Sequence, residues 1–249
     1  MAEVRIGTVD LPERMERSRY FRELEYLEFS GLFNGPLKPS ALTKWASQAP
    51  RGSIGLVAPW VLTHRKPPTG PGLWPHDATV GDFRDSVPGR AALAQFRVAL
   101  DQLGARCAVF RSPPLFAASA ANRDALKKFF GELATEETLG VPRVWIPDGL
   151  WDLRTAIVLA TELNLQVAFD PLVRAPGEPP EVYDDLDVTA LYLRPTGLGR
   201  AGPIRSERMD DLAILLEAYE DVPTTIAFES PARWADARNL KKSLEGALD

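Results

Sequence analysis

Cysteine is almost absent from this chain. Cys107 is the single thiol in 249 residues, so no internal disulfide can form. It lies inside an apolar stretch, which reads as a buried thiol in a reducing compartment rather than a nucleophile. Histidine is nearly as scarce, with only His64 and His76. Two imidazoles are too few for a histidine-rich multi-metal site, so no metal and no cofactor are expected. No run approaches the roughly 20 apolar residues of a membrane span, and the charged stretch from Met1 to Ile6 carries no apolar signal region. The expectation is a cytoplasmic protein with no membrane contact. A basic excess is missing too: the net charge is −5, so non-specific nucleic-acid binding is not expected, although a local basic site remains open. There is no G-x-S-x-G elbow, no P-loop, no zinc-type cysteine spacing and no glycine-rich dinucleotide turn after the first strand.

What is present is an alternation. Apolar runs bounded by Gly, Pro or Asp predict strands at Val4–Gly7, Glu25–Phe29, Ile54–Val57, Ala105–Phe110, Val144–Ile146, Gln166–Phe169, Ala190–Leu193 and Thr224–Phe228. Between them, helical spacing places Leu42 with Trp45, Leu93 with Phe96 and Leu100, Leu126 with Phe129 and Phe130, and Leu212 with Leu215 on shared faces. Pro39 opens one helix, Asp152 caps another, Gly104 stops a third, and Arg233 to Leu248 forms the last. The strands lack a clean polar alternation, as strands covered on both faces should. Eight such units over this length predict an α/β fold, a single (β/α)8 barrel of the TIM type spanning residues 1–249. Residues 65–90 hold a Pro- and Gly-rich connection with Trp74 and Phe83, too long for a simple loop and expected to pack over something.

In such barrels chemistry sits where strands meet their following helices. That rim carries Glu28, Thr63, His64, Arg111, Asp148, Asp170, Arg194, Thr196 and Glu229. His64 reads as a structural histidine or as a general acid/base. The loop from Arg194 to Pro203, with three glycines and Arg200, reads as a flexible turn or an anion cradle. The carboxylates Glu28, Asp148, Asp170 and Glu229 could pair for acid/base work, but carboxylates are common at any barrel rim.

Four stretches together resemble the YecE-like family, the domain of unknown function numbered seventy-two. Leu27-Glu28-Phe29-Ser30-Gly31-Leu32-Phe33 is similar to its V-E-x-N-x-x-F-Y, and Ala58-Pro59-Trp60-Val61-Leu62-Thr63-His64 to its K-A-P-x-x-x-T-H. Phe110-Arg111-Ser112-Pro113-Pro114-Leu115-Phe116 resembles F-Q-L-P-P-x-F, and Tyr192-Leu193-Arg194-Pro195-Thr196-Gly197 resembles Y-x-R-x-H-G. The resemblance implies a barrel of the triosephosphate isomerase type and no settled reaction. Departures are concentrated at the rim: Val57 stands for a lysine, Trp145 for a glutamate, Pro147 for an arginine, Thr196 for a histidine, and Glu229-Ser230 for two asparagines. Glu28, His64 and Arg194 remain. The expectation is a degraded rim on a non-catalytic binding or partner protein, taking an anionic small molecule or a protein partner. The alternative is an enzyme, for example a hydrolase, acting on a phosphorylated or other anionic small molecule. There His64 and Glu28 are catalytic, and Arg194, Arg111, Thr63 and Asp170 bind ligand.

Overall fold

The structure, a computed structural model, describes residues 2–70, 73–148, 150–174, 177, 179–199 and 201–246. Arg200 of the glycine loop and Leu248 of the last helix lie outside the described residues. Eight strands close into a barrel in chain order: β1 (Val4–Val9), β2 (Tyr26–Phe29), β3 (Ile54–Val57), β4 (Cys107–Arg111), β5 (Arg143–Ile146), β6 (Gln166–Phe169), β7 (Leu191–Leu193) and β8 (Thr224–Phe228). The parallel (β/α)8 barrel expected from the alternation is therefore present. Its residues fall into two compact units, Met1–Glu28 with Ala168–Asp249, and Phe29–Val167.

In the first unit β1 pairs in parallel with both β2 and β8. Gly7 makes the β2 approach possible, because a Cβ there would stand 1.7 Å from the Tyr26 carbonyl oxygen. Helix α1 (Arg17–Glu23) supplies one buried residue, Tyr20, whose hydroxyl donates to the Tyr26 carbonyl at 2.6 Å and accepts from the Thr8 amide at 2.8 Å. A single phenol thus pins the start of β2 to β1.

In the second unit the helices are α2 (Pro39–Ala46), α3 (Trp60–Thr63), α4 (Val87–Leu103), α5 (Ala120–Lys128), α6 (Glu136–Leu139) and α7 (Leu153–Glu162). The first unit continues with α8 (Ser206–Ala218) and α9 (Arg233–Gly246). Their ends follow local chemistry. The Asp152 carboxylate accepts from the Thr155 amide at the start of α7, and Gly104, left-handed at φ 55°, terminates α4. α4 begins earlier than the sequence pattern suggested. Ser86 caps it through the Gly89 amide and Pro88 sits in its first turn, so residues first read as loop are helix. After α5 the chain widens into one π-helical turn, Phe129–Leu133, which turns Phe129 and Phe130 inward. Those two rings meet Phe83 and Phe110 at centroid separations of 5.2 to 5.7 Å, mostly edge to face, the favoured aromatic geometry.

The described part of the 65–90 connection is strapped down. Trp74, Val80 and Phe83 are each 1% exposed, and the Trp74 indole donates to the Leu32 carbonyl at 2.7 Å. Gly81, Asp82 and Phe83 are successively left-handed, at φ 83°, 53° and 57°. Two non-glycine residues there cost about 1–2 kcal/mol each. The compensation is visible: their amides donate to the carbonyls of Val61, Thr63 and Leu62, which the single turn of α3 would otherwise leave open.

Candidate functional site

In the first unit the residues that matter are set by the two-residue period of strands. Tyr26 and Glu28 share one face of β2, and Tyr192 and Arg194 stand two apart at the end of β7. Glu28 is 1% and Arg194 6% exposed. The Arg194 Nε lies 3.1 Å from Glu28 Oε2 and its Nη2 3.0 Å from Oε1, a two-point pairing. The same Nη2 stands 3.1 Å from Glu229 Oε2. The Tyr192 hydroxyl donates to Glu28 Oε2 at 2.7 Å, so the Tyr26 hydroxyl, 2.7 Å from it, is the donor to Tyr192. Burial works against the charge on Arg194, but Glu28 and then Glu229 more than offset it and hold the guanidinium above its ordinary value. Two carboxylates around one guanidinium leave this network with a single net negative charge.

Asp170 and Thr196 form a separate knot. Asp170 Oδ2 accepts from the Thr196 amide at 2.8 Å and hydroxyl at 2.5 Å, while Oδ1 accepts from the Leu172 amide at 2.8 Å. Both oxygens organise the loops that follow β6 and β7.

The second unit holds the other candidates. His64 follows α3, with its amide bonded to the Trp60 carbonyl and its ring against the edge of Phe33, centroids 5.2 Å apart at 88°. Its Nδ1 is 2.7 Å from the hydroxyl of Thr63, which is itself buried. Burial, and then the nearby Arg111 charge, push the imidazole down to about 4, with Asp148 and Asp82 opposing. At neutral pH His64 is uncharged. Arg111, at the end of β4, reaches Asp148 at 2.5 Å, and the pair is partly open to solvent. Trp145, standing where the resembled family carries a glutamate, is fully buried and donates from its indole to Ser112 at 2.8 Å.

The structure therefore joins Glu28 with Arg194, Thr63 with His64, and Arg111 with Asp148. Arg143 and His76 do not restore lost groups. Arg143 spends its guanidinium on four carbonyls, those of Phe130, Ala134, Leu163 and Asn164, at 2.9 to 3.2 Å. His76 donates from Nδ1 to the Trp74 carbonyl at 2.8 Å. Sequence reasoning missed Tyr26 and Tyr192, although their i, i+2 spacing from Glu28 and Arg194 was a usable signal. It missed Asp82, which no local pattern marks, and the packing of Phe33 against His64, which the V-E-x-N-x-x-F-Y resemblance marks as a position without giving its partner. Among the described residues no group of three or more His, Cys, Asp and Glu is placed to hold a metal ion, and no helix is long and apolar enough to cross a membrane.

No family model matches the sequence, and no curated protein matches it. Solved structures do. A DUF72 family protein (EF0366) from Enterococcus faecalis superposes with a TM-score of 0.70 at 12% identity, covering 99% of this chain and 98% of that one. The chain takes the fold of DUF72 barrels. A second DUF72 protein (TM1631), from Thermotoga maritima, gives 0.63 at 14% identity over 98% of this chain and 99% of that one. The 3-keto-D-glucoside 4-epimerase YcjR from E. coli gives 0.60 at 12% over 99% and 100%. At these identities the likeness to DUF72 proteins is one of fold, and roles for individual residues rest on the geometry above.

Proposed function

We propose that this barrel is a binding protein that runs no acid–base chemistry at its rim, and that its ligand or partner presents uncharged polar groups there. The observation carrying the reading is that both candidate arginines already have their counter-charges inside the protein. Glu28, Arg194 and Glu229 form one closed network, and Arg111 is paired with Asp148. A catalytic base works best with a pKa near the working pH, and an imidazole near 4 gives up most of its driving force for taking a proton. The Glu28 carboxylate is buried and already engaged by Arg194 and Tyr192, so it is not presented to a substrate. The substituted rim positions, Val57, Trp145 and Thr196 among them, agree with this reading.

A second reading, an enzyme for an anionic small molecule, has one observation in its favour. Arg111 retains 41% side-chain exposure, so a ligand anion could compete with Asp148 for it. The epimerase among the fold neighbours makes an enzyme role plausible without naming a reaction. Thermal melts with inorganic phosphate, glucose 6-phosphate and glucose separate the two. A phosphate ester present at a hundred times its Kd adds about 2.7 kcal/mol, or roughly 5–10 °C for a chain of this size. The binding reading expects no such shift from phosphate or the ester. A shift of that size that disappears in Arg111→Ala would overturn it in favour of the enzyme.

A further inference from the structure

We infer that Thr63 fixes His64 in the tautomer protonated on Nε2, so that the rim beside Arg111 offers a neutral N–H donor and recognises an acceptor oxygen. This deepens the binding reading above and rests on it for the claim that a ligand is present at all.

The Thr63 hydroxyl has no alternative acceptor among the described residues. Thr63 is 1% exposed, and among the described residues its Oγ1 has one hydrogen-bond partner, the His64 Nδ1 at 2.7 Å. A hydroxyl can donate or accept, and a neutral imidazole nitrogen does one or the other. If Nδ1 carried the proton, Thr63 would accept it, and its own buried O–H would have no acceptor among the described residues. An unmade buried donor costs about 1–3 kcal/mol. If Thr63 donates, Nδ1 is the acceptor, both groups are satisfied, and the ring proton must sit on Nε2. The hydrogen bond made by one ring nitrogen decides the state of the other.

The backbone leaves Thr63 little freedom to rotate away from this task. Its carbonyl accepts from Asp82, and the carbonyls of Val61 and Leu62 accept from Gly81 and Phe83. Gly81 sits so close that a Cβ there would lie 2.3 Å from the His64 carbonyl carbon and oxygen. The edge contact with Phe33 fixes the ring plane. Nε2 has no hydrogen-bond partner among the described residues and does not count among the sealed, unsatisfied atoms, so it opens outward.

The surroundings select the class of acceptor. Arg111 pairs with Asp148 and Arg65 with Asp82, so the charged side chains around the neutral imidazole cancel. Such a set offers no net attraction to repay the desolvation of an anion. An amide or carbonyl oxygen, which needs one donor and no counter-charge, fits better than a carboxylate or a phosphate.

Nitrogen-15 NMR of the imidazoles reads the tautomer directly. The chain has two histidines, and His76→Gln assigns them. His76 serves as the internal reference, because its Nδ1 bonds a carbonyl and so carries a proton. The expected result at neutral pH is a His64 with a protonated-type Nε2 and an unprotonated Nδ1. In Thr63→Val that Nδ1 resonance should move to the position of a nitrogen without a donor, and in Thr63→Ser it should stay. A protonated Nδ1 in the wild type, or no movement in Thr63→Val, overturns the inference. If Thr63→Val fails to fold, the wild-type and Thr63→Ser spectra still decide. The ligand class is read by titrating acetamide and acetate into the wild type. Movement of Nε2 by acetamide at lower concentration than by acetate is expected, and the reverse order overturns the assignment. None of these readouts moves with the outcome of the melting panel, so a wrong tautomer fails alone and leaves the binding reading standing.

Discussion

Arg143→Met should destabilise this protein strongly and do nothing to its rim. Arg143 starts β5, is 4% exposed, and has no carboxylate partner within ion-pair distance among the described residues. Burial accordingly lowers its guanidinium below the ordinary value, with Glu136 opposing only partly. Its two terminal nitrogens serve four carbonyls at the exits of two helices: Phe130 in the π-helical turn after α5 and Ala134 just past it, Leu163 and Asn164 after α7. Methionine keeps most of the stem volume and removes all four bonds. Helix-end carbonyls can partly rehydrate, so we count two of the four as left unsatisfied, at about 1–2 kcal/mol each, for a loss of about 3 kcal/mol. At 2–4 °C per kcal/mol for a chain of this length, Tm should fall by roughly 6–12 °C. Arg143→Lys should lie between, because an ammonium is a point donor and cannot fork across two helix ends. Urea unfolding followed by circular dichroism measures all three proteins on one scale. A loss below about 1 kcal/mol in the methionine variant, or a lysine variant as stable as wild type, would show that the four bonds are geometric coincidences.

Gly81→Ala should be more damaging than an ordinary surface change, because its φ of 83° disfavours a side chain and the added Cβ would lie 2.3 Å from the His64 carbonyl; scanning calorimetry should show a loss of at least about 2 kcal/mol. Arg194→Met should cost about 3–5 kcal/mol by stranding the buried Glu28 charge, while Arg194→Met with Glu28→Gln should recover much of it; additive losses in a double-mutant cycle would deny the pairing. The pH dependence has a definite sign. His64 titrates near 4 folded and near 6.5 unfolded, so the folded state binds fewer protons, and stability present above pH 6.5 is lost as pH falls toward 4. Allowing for its partial exposure, the loss should be on the order of 2 kcal/mol. Carboxylates titrate in part of that window, so the measurement is the wild-type profile minus that of His64→Gln; a flat difference between pH 6.5 and 4 contradicts the depressed imidazole.

Where apolar runs end in decisive turn chemistry, strands could be read directly. β6 and β8 run over the residues expected, because Asp170-Pro171 stops one and Glu229-Ser230 follows the other. The start of α4 was misplaced for a physical reason. Pro88 counts as a breaker in a composition reading, yet in a first turn its missing amide costs nothing and its fixed φ suits the helix. The site was half legible. Glu28 and Arg194 at strand ends and His64 after α3 stand out as charged or titratable groups, but the carboxylates that pair with the arginines come from other strands and loops: Glu229 from the end of β8 for Arg194, Asp148 from beyond β5 for Arg111, and Asp82 from a turn seventeen residues after Arg65. Pairing at that range depends on strand register, which one sequence does not display. Arg143 shows the same limit from the other side, since nothing local distinguishes an arginine aimed at helix ends from one aimed at the barrel mouth.

Compensation within the protein also ranks the two arginines as contacts for any charged ligand. To engage Arg194, an anion must displace Glu28, and leaving that carboxylate buried without its partner costs about 3–5 kcal/mol. To engage Arg111 it must displace Asp148 from a pair whose side chains are 41% and 32% exposed, where water takes over the released carboxylate and the cost is about 0–1 kcal/mol. The difference of several kcal/mol exceeds what a single charge-assisted bond returns, about 1.5–3 kcal/mol. Arg194 is thus held as an internal counter-charge, and Arg111 is the arginine through which an anion could bind.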